Sequence, residues 1–387
     1  MVYSKKTSKK IKVAWFASAF IGRKASGTAQ TARKIVENLI SNHPNDIQVI
    51  LLAKNNNEVK LIRNESIFSE LQVILLPQVR GNFLKSSRQF YKYCLINKNS
   101  DLDILHYSVP RVYPFYWFFP AKKIVCTFHA GGDVTAPRDF FSISREIYNL
   151  IIKFQWKKFA AIVADSEFAS KEISTAYRIP YNYITKIYLG SDSLWKEFHE
   201  VIERDKNLVL VIGRWQNYKN IHTVINSFKN YEVFQNKKLR LKVIGKSGRK
   251  DNKLILDSLK DFPSNQIEIV EYLSDYELAR EYRKASVVFH PSINEGFGLP
   301  AFEAFGEGAR VVAHSGTPAD EILNTQSGVI FQNMLDEKTV IASYRSILHE
   351  KFGDITGRRA FLESVNATWA TSTKKYVELY KAIINLN

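Results

Sequence analysis

Short, nearly continuous apolar runs recur along the chain at 11–17, 47–52, 71–76, 104–107, 124–128 and 161–164, and again at 208–212, 239–244, 267–270, 286–289, 309–313 and 328–331. Runs of this length, rich in β-branched residues and lacking strict alternation, suit strands covered on both faces. Between them lie stretches of helical periodicity such as 29–39, 222–229 and 254–261. Strand and helix alternating at this spacing predict an α/β protein with two Rossmann-like parallel sheets, each clothed by helices. Ser274-Asp275-Tyr276-Glu277 reads as a capping box, with Leu273 and Leu278 placed as a hydrophobic staple. The apolar pattern breaks over 190–207, which separates the two halves, and two sheets facing each other across a cleft form a natural ligand site.

The 387 residues exceed what one hydrophobic core usually supports, in line with two domains. Cys94 and Cys126 are too few for a disulfide framework and lack C-x-x-C spacing, so a reducing cytoplasm fits best. The basic segment before residue 11 leads into the run Ile11–Phe16, which is too short and too polar-flanked to read as a signal peptide, and no window approaches a membrane-spanning helix. The net charge of +17 is concentrated in residues 1–200, where 29 Lys and Arg face 16 Asp and Glu. Such a half suits nucleic acid, an anionic membrane, an anionic substrate, or solubility alone.

Two constellations carry the chemistry. In His290-Pro291-Ser292-Ile293-Asn294-Glu295-Gly296-Phe297-Gly298-Leu299-Pro300, a strand breaks into a glycine loop and Pro300 opens a helix. The N–H groups of Gly298 and Leu299 then point out of a helix start, where the dipole favours an anion, making a phosphate seat. Glu303, one turn further on, can accept from the vicinal hydroxyls of a ribose. In Val211-Ile212-Gly213-Arg214 a second strand breaks at glycine, and Arg214 and Lys219 project from the C-terminal edge of the sheet. A guanidinium fork and an ammonium there match a diphosphate. Gly245, in Gly245-Lys246-Ser247-Gly248, follows a third strand and is a further candidate for nucleotide contact.

Gly213-Arg214 with Lys219-Asn220, then Glu295-Gly296-Phe297-Gly298-Leu299-Pro300 and Glu303-Ala304, resemble the signature of glycosyltransferase family 4, whose E-x7-E pair corresponds to Glu295 and Glu303. Asp165-Ser166-Glu167-Phe168 resembles that family's inter-domain segment, and 369–384 its closing helix. The resemblance implies a GT-B fold with an acceptor-binding domain over 1–195, a donor-binding domain over 196–369 and a crossover helix over 370–387 that returns to the first domain. It implies a retaining hexosyltransferase that moves a sugar from a UDP- or GDP-linked donor to a glycan or lipid-linked hydroxyl, in cell-surface polysaccharide, O-antigen or lipopolysaccharide synthesis. Residue by residue, it puts Arg214 and Lys219 on the diphosphate, Glu303 on the ribose, Glu295 near the sugar hydroxyls, and the amides of Phe297, Gly298 and Leu299 on sugar or phosphate. Tyr272 and Leu273 join Gly213, Gly245 and Gly296 on the donor side. His129, at the end of the 124–128 strand, matches the family's active-site histidine beside the donor sugar.

The resemblance implies no metal and no cofactor beyond the nucleotide sugar, because Arg214 and Lys219 do the work of a cation. Asp101-Leu102-Asp103 has the pattern of a metal clamp but precedes a strand and reads as a turn. Departures from the family are Ala130-Gly131-Gly132 before Asp133, which leaves Asp133 without an assigned role, and Glu307 and Arg310, which are oddities. The basic loop with Ser26, Gly27 and Thr28 resembles the family's acceptor-side loop. The aromatic stretch from Pro110 to Pro120, followed by Lys122-Lys123, reads either as core or as a face for an anionic membrane, which would place the protein on the cytoplasmic side of the inner membrane. No nucleic acid is expected. The rivals are a glycoside hydrolase using Glu295 and Glu303, and a non-catalytic basic binding protein for nucleic acid or anionic membrane.

Overall fold

The computed structural model describes residues 9–22, 27–76, 83–97, 100–112, 115–130, 143–195, 201–230, 239–245, 253–260 and 262–385. Ser26, Asp133 and residues 246–248 lie outside them.

The apolar runs form two all-parallel sheets. The first contains β1 (Ile11–Phe16), β2 (Ile47–Ala53), β3 (Gln72–Leu75), β4 (Leu102–Tyr107), β5 (Ala121–Phe128), β6 (Ala161–Ala164) and β7 (Ile184–Lys186), in the order β3-β2-β1-β4-β5-β6-β7. The second contains β8 (Asp205–Ile212), β9 (Arg240–Ile244), β10 (Ile267–Val270), β11 (Ala285–His290), β12 (Val311–His314) and β13 (Val329–Gln332), in the order β10-β9-β8-β11-β12-β13. In both sheets the order reverses beside the first strand of that half, where open α/β sheets bind ligands at their carboxyl ends. This is the GT-B layout, with the helix Trp369–Asn385 returning from the second half to pack on the helix Gly27–Asn42 of the first.

The chain passes between the halves twice, side by side. Ser191 N donates to Ala367 O at 2.9 Å, and Trp369 N donates to Asp192 Oδ1 at 2.7 Å. The indole Nε1 of Trp369 donates to Ser193 Oγ at 2.7 Å. A Cβ on Gly190 would fall 2.1 Å from Trp369 N, so only glycine lets the two passes touch. One apolar core runs through this junction, joining Val13 and Val163 of the first sheet to Leu208 and Phe302 of the second half.

The capping box stands as read: Ser274 Oγ accepts from Glu277 N, and Ser274 N donates to Glu277 Oε2 at 2.7 Å. Asp101-Leu102-Asp103 needs a correction. Leu102 and Asp103 already belong to β4, and the buried Asp103 accepts from Lys12 N at 2.9 Å and Lys122 Nζ at 2.7 Å. It ties strand starts together rather than forming a turn. The aromatic stretch is core in part and exposed in part. Tyr116 and Phe119 are core, whereas Phe115 and Phe118 are 45% and 54% exposed.

The two oddities of the sequence are packing solutions. Glu307 is fully buried and its carboxylate receives Arg283 Nε and Arg359 Nη2, each at 2.6 Å. Arg310 donates to Glu350 O at 2.8 Å and lies 4.0 Å from the centre of the Phe352 ring, which Arg204 also approaches at 4.2 Å. Replacing Glu307 by Ala leaves two guanidinium groups facing a cavity, an uncompensated buried charge worth about 3–5 kcal/mol. The expected outcome for Glu307→Ala is a lower urea midpoint in equilibrium unfolding, with Glu307→Gln falling between it and wild type.

Candidate active site

The second sheet builds one wall of the cleft at the ends of β8, β9 and β11. After β8 the chain runs through Gly213-Arg214 into the 3-10 turn Asn217–Lys219. Asn220 ends that turn in the left-handed region at φ 53°, and its side chain fixes it there. Its Nδ2 donates to Met334 O at 2.7 Å, and its Oδ1 accepts from Thr223 Oγ1 at 2.6 Å. Held this way, Lys219 reaches across to Glu295, and the two form an ion pair with both side chains 14% exposed. Burial would lower the Lys219 pKa, but the Glu295 carboxylate more than offsets it and raises the ammonium above its ordinary value. Burial likewise works against the charged form of Glu295, and Lys219 outweighs it, so the carboxyl is held below its ordinary value. Gly245, at the end of β9, presses on Gly213: a Cβ there would lie 1.9 Å from Gly213 O.

After β11 the loop tightens at Gly298, whose φ of +90° caps the helix Leu299–Gly306 with Pro300 in its first turn. N–H groups at such a start have no acceptor within their own helix. The Phe297 side chain is buried and stacks on Phe302 at 4.4 Å, so this residue offers only its backbone to a ligand. Glu303 points toward the helix Asp275–Lys284, which follows Tyr272 and Leu273, and accepts from Tyr282 Oη at 3.3 Å. Burial, with Asp275 and Glu307 nearby, pushes its pKa up to about 7.

The first sheet supplies the facing wall. His129 follows β5, with Nδ1 2.6 Å from Asp165 Oδ2 and Nε2 2.8 Å from Ser108 O. A carboxylate and a carbonyl can only accept, so both ring nitrogens donate and the ring is an imidazolium. Burial opposes that charge, but Asp165 and the Ser108 carbonyl prevail and the pKa rises. With both ring nitrogens taken up by Asp165 and Ser108, the ring keeps no free lone pair to act as a base. Behind it, His106 contacts Tyr380 Oη at 2.5 Å and Thr127 Oγ1 at 2.8 Å, and Thr127 Oγ1 contacts Tyr376 Oη at 3.1 Å. Burial keeps His106 neutral, down to about 3. The closing helix thus braces the two strands whose ends carry Ser108 and His129.

The walls meet at Gly296, where a Cβ would lie 1.5 Å from His129 O. Ser166 Oγ donates to Gly296 O at 2.7 Å. Glu321 accepts from Glu167 N at 3.1 Å and Phe168 N at 3.0 Å, capping the helix Glu167–Tyr177 from the opposite half. The structure therefore brings His129, Gly213, Gly245, Lys219, Glu295, Gly296 and Gly298 into one contiguous region. Arg214 is exposed beside Lys219, near enough for their charges to repel. Tyr272 is 54% exposed, and Gly27 and Thr28 open their helix exposed. Ser108, Asp165 as the partner of His129, and Glu321 escape motif reading, and His290, though it opens the quoted glycine-loop motif, is given no role by it. Their spacing to their partners is set by the fold, though the Asp165-Ser166 pair lies within the segment singled out for its family resemblance. Among the described residues, no group of three or more His, Cys, Asp or Glu is arranged to hold a metal ion, and no helix is long and apolar enough to cross a membrane.

Residues 195–360 match the family model described as glycosyl transferases group 1. The chain is 26% identical over 297 residues to O-antigen chain mannosyltransferase RfbU of Salmonella typhimurium, an alignment covering 71% of this chain and 76% of that protein. It is 24% identical over 233 residues to O-antigen chain mannosyltransferase B of Escherichia coli, covering 57% of this chain and 60% of that one. Anabaena HepE, solved in complex with UDP and glucose, shares the fold at a TM-score of 0.65 and 13% identity, over 97% of both chains. The hydrolase and binding-protein readings give way, and the chain is a glycosyltransferase.

Proposed function

We propose that the chain is a retaining, metal-independent hexosyltransferase of the glycosyltransferase family 4 type. It takes a UDP- or GDP-linked hexose, with mannose the sugar carried in the names of both relatives, and transfers it to a hydroxyl of a glycan or lipid-linked acceptor. The setting is O-antigen or lipopolysaccharide assembly at the cytoplasmic face of the inner membrane. The observation that carries this reading is the convergence of Lys219, Arg214 and the Gly298 helix start on one wall, with the His129 imidazolium on the other.

Cleaving a glycosyl–phosphate bond leaves negative charge on the departing diphosphate and positive charge on the sugar ring. Groups already oriented toward the leaving group stabilise that charge without reorganising, which is commonly the dominant catalytic contribution. Arg214 and Lys219 meet the two phosphates, the amides at Gly298 and Leu299 complete the seat, and Glu303 accepts from the ribose hydroxyls. Gly213 and Gly245 let the nucleotide approach backbone, with Tyr272 and Leu273 flanking it. Glu295 and His129 lie beside the sugar. In a retaining reaction the acceptor enters on the face the diphosphate leaves, so a phosphate oxygen is the nearest base for its proton. Gly27 and Thr28 border the acceptor side, and Ser26, which precedes them in sequence, is assigned to it with them. A thermal-shift panel of UDP-, GDP-, dTDP- and ADP-sugars tests the donor, because a ligand of the folded state alone raises the melting temperature.

Membrane contact belongs to the same reading. Lys122, Lys123, Lys157 and Lys158 line a groove of about 400 Å³ with Trp117 and Tyr183. Lys158 lies over Trp117, whose ring neighbours the exposed Phe115 and Phe118. Exposed rings beside clustered lysines suit an anionic bilayer surface.

Three outcomes are expected. Arg214→Ala and Lys219→Ala each lower kcat about 10²–10³-fold; the thermal midpoint stays near wild type in the exposed Arg214→Ala and falls in Lys219→Ala, which strands the buried Glu295 carboxylate, and transfer at wild-type rate in both overturns the assignment. Because Glu303 titrates at about 7 and must be ionised to accept two hydroxyls, KM for the nucleotide sugar falls as pH rises from about 6 to 8, and Glu303→Gln removes that slope. Flotation with phosphatidylglycerol vesicles recovers wild type but not the Phe115→Ala, Phe118→Ala double variant, and neutral phosphatidylcholine vesicles recover neither.

A further inference from the structure

His290 ends β11 directly beneath the start of the helix Leu299–Gly306. It is 2% exposed, and a Cβ on Gly298 would lie 3.4 Å from its Nε2. Among the described residues neither ring nitrogen has a hydrogen-bond partner. Two unpartnered polar atoms in a buried ring are costly, and native structures keep such a group where another state engages it. The ring has a partner almost in reach: Nε2 is 3.6 Å from Glu295 Oε1, the same oxygen that receives the Lys219 ammonium. Burial keeps the imidazole neutral, with its pKa down to about 4, so it offers a single N–H. The charged and titratable groups around it are Glu295, Lys219 and His314.

We infer that His290 is a positioning residue that takes over Glu295 when a bound diphosphate draws Lys219 away. The inference rests on the assignment of Lys219 to the diphosphate. Without a donor, Lys219 and Glu295 neutralise each other. A diphosphate competes for the ammonium, and as Lys219 turns to it the buried carboxylate loses its cation. A carboxylate left so is strongly disfavoured. A shift of His290 by less than an ångström closes an N–H···O bond to that oxygen, the stronger for the acceptor's charge. Glu295 then stays aimed at the sugar instead of swinging out or following the ammonium. One cation serves two anions in turn, and the imidazole makes the exchange reversible.

The test is calorimetric titration of UDP and of GDP, at pH 8, into wild type, His290→Leu, His290→Gln, Lys219→Ala, Glu295→Ala and the Glu295→Ala, His290→Leu double variant. His290→Leu binds the diphosphate about tenfold or more weakly than wild type, and His290→Gln, which keeps an N–H, recovers most of the loss. The unliganded thermal midpoint of His290→Leu stays within about 2 °C of wild type or rises, because no hydrogen bond is lost. In the Glu295→Ala background His290→Leu has no further effect. Should His290→Leu fail to fold, His290→Met carries the same comparison. Wild-type affinity in His290→Leu, or an equal loss with and without Glu295, overturns the hand-over. Wild-type affinity in Lys219→Ala instead overturns the donor-site reading beneath it.

Discussion

Backbone meets backbone across the cleft where Gly296 lies against the carbonyl of His129, and the rest of the site is arranged around that contact. A side chain at 296 would sit 1.5 Å from the His129 oxygen, so the loop leading to the helix Leu299–Gly306 approaches the first sheet only because it carries no Cβ there. The Ser166 hydroxyl on the Gly296 carbonyl and the Glu321 carboxylate on the amides of Glu167 and Phe168 lie within a few residues of it. Singly, such bonds contribute about 1 kcal/mol. Jointly they fix the gap between an imidazolium on one wall and a helix start on the other, and that gap decides which molecule fits.

The treatment of buried charge separates scaffold from site. Glu307 has two guanidinium partners and Asp103 a backbone amide and an ammonium, and both serve only to hold elements together. Across the cleft the accounting is left open. Lys219 and Glu295 satisfy each other, Glu303 accepts from a phenol at 3.3 Å and has its pKa pushed up to about 7, and among the described residues His290 has no hydrogen-bond partner. Groups left short of compensation beside a cleft are those the proposed donor would complete.

The strands were legible because burial on both faces writes itself as unbroken apolar runs, and the glycine loop that opens the helix Leu299–Gly306 because its glycines and proline are adjacent in sequence. Strand starts were less so. β5 begins at Ala121 and carries Lys122 and Lys123, because Leu102 of β4 pairs with Ala121 and edge lysines can reach water or Asp103. β7, three residues long, is too short for periodicity to register. The His129–Asp165 pair joins residues 36 apart, and Glu307 meets partners at 283 and 359. Pairings of that kind follow from how helices pack, which local pattern does not encode. An acid at 307 looks anomalous in sequence and ordinary once its two arginines are in view.

The paired passage of the chain at Gly190 and Trp369 bears on how the two sheets can move. A lone linker permits swivel, tilt and twist alike, whereas two abutting segments, locked by the Trp369 indole on Ser193 and the Trp369 amide on Asp192, resist torsion and leave bending about a common line. Any widening of the cleft thus behaves like a jaw, parting Gly296 from His129 along one arc and returning it along the same path. Because the closing helix emerges from that very joint and packs through Tyr376 and Tyr380 on the strands leading to Ser108 and His129, one structural element links the pivot to the His129 ring.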